Sequence, residues 1–245
     1  MPHPLQPLAE IWVYLATTPL LGLTLTLVAY QAGHWVYVRS GMNPLLNPVL
    51  LAVAALVALL LATGTSYTTY FEGAQFVHFL LGPAVVALAI PLHQQLPNIR
   101  RLFVPIVGAL VAGSFTAVVS AVAIAWSLGA SNVTLLSLVP KSVTAPIAMG
   151  IAEKIGGIPA LTAVLVVATG IIGAALGKFV FDAMGVADYR VRGFALGIAA
   201  HGIGTARAFQ VNAEAGAFAG LAFGLQGALA AFLFPGIYFA LRHFM

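Results

Sequence analysis

The sequence predicts an all-α, polytopic helical membrane protein, and three observations carry that prediction. Only 7% of the 245 residues are Asp, Glu, Lys or Arg, where an ordinary soluble domain has ~25%. Hydrophobic residues make up 61% and the mean hydropathy is +1.04. Charge therefore cannot cover a folded surface, even though soluble proteins expose much apolar area. The apolar runs are long and continuous, unlike barrel strands, which alternate over ~10 residues. A water-soluble monomer is excluded, as is disorder, which needs low hydrophobicity and high charge. The expected architecture is a single domain over residues 1–245 with about seven or eight transmembrane segments, two of them interrupted or re-entrant.

The segments follow from the polar punctuation. The first apolar run, Ile11 to Val38, has no Lys or Arg before it, so it reads as a retained span rather than a signal peptide. It exceeds the ~30 Å hydrocarbon core at ~1.5 Å per residue, so a tilt or a bend near Pro19 is expected. Arg39 and Gly41-Met42-Asn43-Pro44 close it. Pro48 to Thr63 is a dense second span, followed by a polar stretch from Gly64 to Gln75. Phe76 to Leu92 is a third span, interrupted at Gly82-Pro83, and Leu102 to Leu128 a fourth. Two mixed segments, Leu135 to Ile155 and Gly193 to Val211, alternate with two clear spans, Ile158 to Val180 and Ala215 to Leu241.

Charge suggests an orientation. The net charge of +4 is scattered between apolar runs, the pattern of loop charges that set topology rather than of a nucleic-acid surface. If Leu135 to Ile155 enters and leaves on one face, Arg39, Arg100, Arg101, Lys178, Arg190, Arg192 and Arg242 all fall inside. That layout has about seven crossings, with the N-terminus outside and the C-terminus inside. A weak internal recurrence also appears: Thr144-Ala145 and Ala152-Glu153 return as Thr205-Ala206 and Ala213-Glu214, each 61 residues on. Repeats whose interrupted helices meet at the bilayer midplane are a common transporter plan.

The two mixed segments carry the chemistry. In Pro140-Lys141-Ser142-Val143-Thr144-Ala145-Pro146, proline removes a donor and pushes Ala145 from helical geometry. A helix is thus expected to stop and restart at Pro146, with Ser142 or Thr144 able to satisfy freed amides. A half-helix N-terminus carries partial positive charge and unpaired N–H groups, which suit a carboxylate, and Lys141 adds a full charge. The bland alternative is a lysine snorkelling from a span end above a proline kink. In the second segment Gly202 and Gly204 loosen the helix, Thr205 can cap a new one, and Arg207 then sits in its first turn. There it would oppose the dipole unless an anion shares the site. Arg207 could equally pair with Glu214 or Glu153.

His201, beside the second break, is a candidate for proton relay or substrate contact, against the commoner role of a satisfied core histidine. Glu153 and Glu214 are candidates for proton coupling, against a solvated place at a helix end. Cysteine is absent, His78 and His93 have no partners at ligand spacing, and no nucleophile elbow occurs. No cofactor, metal or enzymatic activity is therefore expected. Gly202-Ile203-Gly204 does not make a dinucleotide fingerprint, because Arg207 occupies the third glycine position.

Four stretches resemble a known family: Leu81-Gly82-Pro83-Ala84, Pro140 to Ala148, Ala152 to Pro159, and Ala200-His201-Gly202-Ile203-Gly204-Thr205-Ala206-Arg207-Ala208. Their order and length are similar to those of the LrgB family, which includes the CidB and YohK proteins, over about Asn43 to Leu241. The resemblance implies a multi-pass protein of the bacterial inner membrane. It implies one of two activities: antiholin-like control of murein hydrolases and autolysis with a small LrgA- or CidA-like partner, or transport of small monocarboxylates of the glycolate, glycerate, pyruvate and lactate class. The two helix breaks favour transport, with Lys141, Ser142, Thr144, Pro146, His201, Gly202, Gly204, Thr205 and Arg207 around the anion. Expected partners are membrane lipid, the monocarboxylate and the small membrane protein, with a homo-oligomer as a further candidate and no nucleic acid.

Overall fold

The structure, a computed structural model, describes residues 19–80, 83, 86, 87, 90, 93 and 96–242. The described residues form helices joined by short turns, without a strand, and the chain gathers into two compact units, Met1–Ala87 and Leu88–Met245. Gly82, on which the expected third break turns, and the part of the first run before Pro19 lie outside the described residues.

In the first unit α1 (Pro19–Arg39) packs on α2 (Pro48–Thr63) and α3 (Tyr67–Phe79). The second span has the expected limits because Asn47 accepts from the amides of Val49 and Leu50, Pro48 opens the helix, and left-handed Gly64 ends it. The polar stretch after Gly64 is not a linker: α3 begins within it, at Tyr67. There α1 and α3 approach so closely that a Cβ on Gly22 would sit 2.6 Å from the Tyr70 carbonyl, and Thr26 Oγ1 meets the Tyr70 hydroxyl at 2.6 Å.

The second unit comprises α4 (Leu96–Arg101), α5 (Phe103–Ser127), α6 (Asn132–Leu138), α7 (Ala145–Ile155), α8 (Pro159–Ala183), α9 (Tyr189–Val211) and α10 (Ala213–Arg242). Of these, α5, α8 and the Ala213–Phe234 part of α10 are long and apolar enough to cross a membrane. Both mixed segments reverse direction. After α6 the chain turns through Pro140 to Thr144 and comes back along α7, so that the Ile158 amide donates to Ser137 Oγ at 2.8 Å and Thr162 Oγ1 to the Ser137 carbonyl at 2.9 Å.

The second reversal is sharper. His201 has φ 41° and ψ −134° within α9, dividing it into a first leg ending at Ala200 and a second starting at Gly202. A Cβ on Gly204 would lie 2.7 Å from the Leu196 carbonyl. Those residues would be roughly 12 Å apart along a continuous helix, so the two legs run back to back. The first leg instead runs parallel to α10: Gly193 abuts the Ala215 carbonyl and Gly197 that of Ala219. Such small-residue contacts let membrane helices approach backbone to backbone. Ile106 and Leu110 of α5, Phe194 and Ile198 of α9, and Phe218 and Ala222 of α10 form one core in matching register.

The two hairpins therefore open at opposite ends of α8. The base of the first, where Ser137 meets Gly157 and Ile158, lies where α8 begins. The base of the second, at Asp188 and Asn212, lies where α8 ends, after the short link from Met184. A hairpin followed by a long helix thus occurs twice in inverted orientation. The repeat is one of supersecondary units and not of the four residues in register at a spacing of 61, since Thr144 stands before the returning leg and Thr205 lies inside it.

Candidate functional site

The two reversals meet beside the middle of α8. His201 is buried, and its Nε2 lies 2.9 Å from the Val166 carbonyl. A carbonyl only accepts, so Nε2 carries the hydrogen and Nδ1 is left to the other side of the ring. Val166 also belongs to the core formed by Val143, Ala148, Ile151 and Ile155 of the first hairpin, together with Ala230 of α10. Val166 is thus the neighbour that the two tips share, through Val143 on one side and His201 on the other. Gly170 is needed one turn further along α8, because a Cβ there would meet the His201 ring at 2.8 Å.

At the first tip Lys141 is half-buried and donates to Ser142 Oγ at 3.2 Å, while Ser142 is buried. Thr144 is the N-cap residue of α7 and has extended backbone, but its side chain makes no capping bond. The helix starts at Ala145, one residue before the expected position, and Pro146 stands exposed in its first turn. The first-turn amides of Ala145 and Ile147 are thus left without a side-chain cap from Thr144, at the positive end of an 11-residue helix.

At the second tip two expectations are corrected. Thr205 does not cap a new helix; its Oγ1 donates at 2.9 Å to the carbonyl of His201, one turn back, because the leg already begins at Gly202. For the same reason Arg207 sits in the second turn and not the first. It is 9% exposed, with Gln210 Oε1 3.5 Å from its Nη1. Gly204 is required by the back-to-back legs, whereas Gly202 faces open space.

The two glutamates are not gathered at the tips. Glu153 is exposed near the end of α7, roughly 12 Å from its start. Glu214 opens α10 at the base of the second hairpin, 4.0 Å from Arg190. That base holds a separate charge cluster. Arg190 pairs with Asp188 at 2.6 Å and Arg192 with Asp182 at 2.6 Å, while Arg192 also donates to the Val186 carbonyl at 2.5 Å. The hydrogen bond from Arg190, more than any other cause, holds the Asp188 carboxyl down at about 2 against its ordinary 3.8.

A buried pair that sequence reasoning missed lies at the same level. Gln226 of α10 is 1% exposed and its side-chain amide meets Ser114 Oγ of α5, which is also 2.5 Å from the Leu110 carbonyl. One hydroxyl hydrogen cannot serve two acceptors. Both contacts are satisfied if Ser114 donates to Leu110 and accepts from the Gln226 NH2 group. The signal was present: Gln226 is the one amide side chain in the run Ala215 to Leu241, and polar groups in such runs are rarely idle.

A family model described as LrgB-like matches residues 26–239. The chain belongs to the LrgB-like family. The match reaches into α1, further toward the N-terminus than the resemblance read from the motifs, and includes both hairpins. Among LrgB-like relatives, the uncharacterized protein YwbG of Bacillus subtilis (strain 168) is 38% identical over 197 residues, 80% of this chain and 87% of that protein. The holin-like protein CidB of Staphylococcus epidermidis is 32% identical over 218 residues, 88% of this chain and 93% of that one. The antiholin-like protein LrgB of Bacillus mycoides (strain KBAB4) is 30% identical over 218 residues, 89% and 95% of the two chains. No solved structure matches. Family membership and the three apolar helices make this LrgB-like chain a membrane protein.

Proposed function

We propose that the chain is a multi-pass transporter of small monocarboxylates in the bacterial inner membrane, holding the carboxylate where the two hairpin tips meet. One observation carries this reading: helical hairpins from opposite ends of α8 converge on Val166 with Lys141 at one tip and buried Arg207 on the returning leg of the other. A cation in hydrocarbon is costly and faces a partner or a cavity. Uncapped amides at the start of α7 add a partial positive charge beside it. Oppositely directed interrupted helices suit alternating access, since each hairpin closes the route from its own side.

The charge distribution supports an orientation. Arg100, Arg101, Lys178, Arg190 and Arg192 belong to the end of the second unit from which α9 enters, which makes that end cytoplasmic. With both mixed segments reversing, Arg242 comes at the opposite end of the second unit from these five, unlike the layout in which it lies inside with them.

The names of the relatives favour a second reading: a holin- or antiholin-like regulator of murein hydrolases and autolysis that acts with an LrgA- or CidA-type partner. Uptake of labelled glycolate, glycerate, lactate and pyruvate into proteoliposomes separates the two. Transport predicts flux by the wild type and its loss in Lys141→Ala and Arg207→Ala. No flux of any of the four by folded wild-type protein would leave the regulatory reading. Full flux by both variants would remove the tips as the site.

A further inference from the structure

Between α5 and the first leg of α9 lies an open groove of about 620 Å³. Leu102, Ile106 and Gly113 form one wall, Phe194 and Ile198 the other, and Phe218 of α10 contributes to its floor. It extends along α5 from Leu102 to Ala117, roughly 22 Å at ~1.5 Å per residue. One leaflet of hydrocarbon is about 15 Å deep, so the groove runs past the middle of the bilayer and ends near the second hairpin tip. Thr116 is the one polar side chain that α5 contributes to it.

The ends of the groove differ. The deep end is apolar but for Thr116, whereas Asp188 and Arg190 stand at the mouth and compensate one another at 2.6 Å. Immediately before Leu102 come Arg100 and Arg101, both exposed at the end of α4. The surrounding end of the unit holds five basic residues, Arg100, Arg101, Lys178, Arg190 and Arg192, against three acidic ones, Asp182, Asp188 and Glu214. Inside the mouth the lining is apolar apart from Thr116, a single hydroxyl that does not make a site for a water-soluble anion. An acyl chain fits both the length and the chemistry, and the excess of arginine at the mouth selects the headgroup.

We propose that this groove holds one acyl chain of an anionic phospholipid whose phosphate rests on Arg100 and Arg101. Basic pockets beside membrane helices on the cytoplasmic side are suited to acidic headgroups. The lipid would lie against the first leg of α9 and so load the hairpin that carries His201. The site is independent of monocarboxylate transport.

Native mass spectrometry of the full chain, released from bilayers of equal phosphatidylglycerol and phosphatidylcholine, tests it. The wild type is expected to retain phosphatidylglycerol in preference. Arg100→Gln/Arg101→Gln should reduce that preference roughly thirty-fold, the factor two surface cations contribute toward anionic lipid. Ala109→Trp, which fills the groove, should retain neither lipid while keeping its helical circular dichroism. Equal retention of both lipids by the wild type, or an unchanged preference in the arginine variant, would overturn the proposal. So would a dimer that Ala109→Trp dissociates, since the occupant would then be a second copy. Should Ala109→Trp fail to fold, the arginine variant, altered only at exposed side chains, decides alone.

Discussion

Alanine at Gly202 and at Gly204 should change stability in opposite directions. In a continuous helix both replacements would help, because glycine in a helix interior costs ~0.5–1 kcal/mol relative to alanine. The reversal at His201 makes them unequal. A Cβ on Gly202 meets nothing within 4 Å and its backbone is not left-handed, so Gly202→Ala should stabilise by about 0.5–1 kcal/mol. A Cβ on Gly204 falls 2.7 Å from both the Ala200 Cβ and the Leu196 carbonyl oxygen. The carbonyl is backbone and cannot swing aside, so the legs must separate, and overpacking of this kind costs ~1–3 kcal/mol. The two variants should therefore differ by about 1.5–4 kcal/mol, with the wild type between them. Unfolding in mixed detergent, followed by helical circular dichroism, measures the difference. If both variants were stabilised alike, Gly204 would not face Leu196, α9 would be one continuous helix, and the meeting of the two tips would be lost with it.

Ser137→Ala removes the acceptor of the Ile158 amide at the base of the first hairpin and should cost ~1–3 kcal/mol in the same unfolding assay. Gln226→Leu should cost about 0.6 and no more than ~1.7 kcal/mol, the range for hydrogen bonds between membrane helices, and a cycle with Ser114→Ala should show that the two effects are coupled. The folded Asp188 carboxyl is depressed to about 2, so its contribution is present above its ordinary 3.8 and disappears as pH falls from there to about 2. Because Asp188 is exposed, its replacement by Asn should cost less than ~1 kcal/mol at neutral pH, and the variant and wild type should converge near pH 2. His201→Gly and His201→Ala both lose the bond to Val166, but only glycine relaxes φ 41°, so the glycine variant should be the more stable by ~1–3 kcal/mol. Equal stabilities would mean that the turn carries no strain.

The parts of this fold that follow local rules were legible in the sequence. Asn47-Pro48 marks a helix start by side-chain capping and a fixed φ, and the limits of α2 follow from those two residues and Gly64. The breaks at Lys141 to Pro146 and at His201 were legible too, since proline and glycine act on their own neighbours. A reversal is different, because whether a broken helix kinks or turns back depends on what the returning leg meets. For α9 that is the contact of Gly204 with Ala200 and Leu196, and of Gly193 and Gly197 with α10, and no residue announces its distant partner. Charge counting favours Leu135 to Ile155 as re-entrant because that brings Lys178, Arg190 and Arg192 to the side of Arg39, Arg100 and Arg101; it carries no sign of the second reversal, which rests on contacts between small residues. The polar stretch before α3 hid its start for a related reason. Gly22 against the backbone around Tyr70, and Thr26 on the Tyr70 hydroxyl, hold a helix whose own residues are only weakly apolar.

The choice of residue at the second turn bears on which of the two proposed activities this architecture serves. Gly202 lies one position beyond the reversal and could adopt a left-handed φ without strain, yet the chain gives that conformation to His201. A turn selected only for stability would place the glycine where φ is positive. Keeping histidine there costs of the order of 1–3 kcal/mol, and what it secures is a buried imidazole with Nε2 fixed on Val166, the residue against which the first hairpin also packs. Buried Arg207 and the uncapped start of α7 are further local costs in the same two hairpins. A regulator working through its outer helix faces gains nothing from such an interior, and tip substitutions that preserve folding should leave its activity intact. A transporter gains an anion site that neither hairpin makes alone. Lys141→Ala and Arg207→Ala therefore separate the two activities more sharply than any change on the exposed surface of α5 or α10.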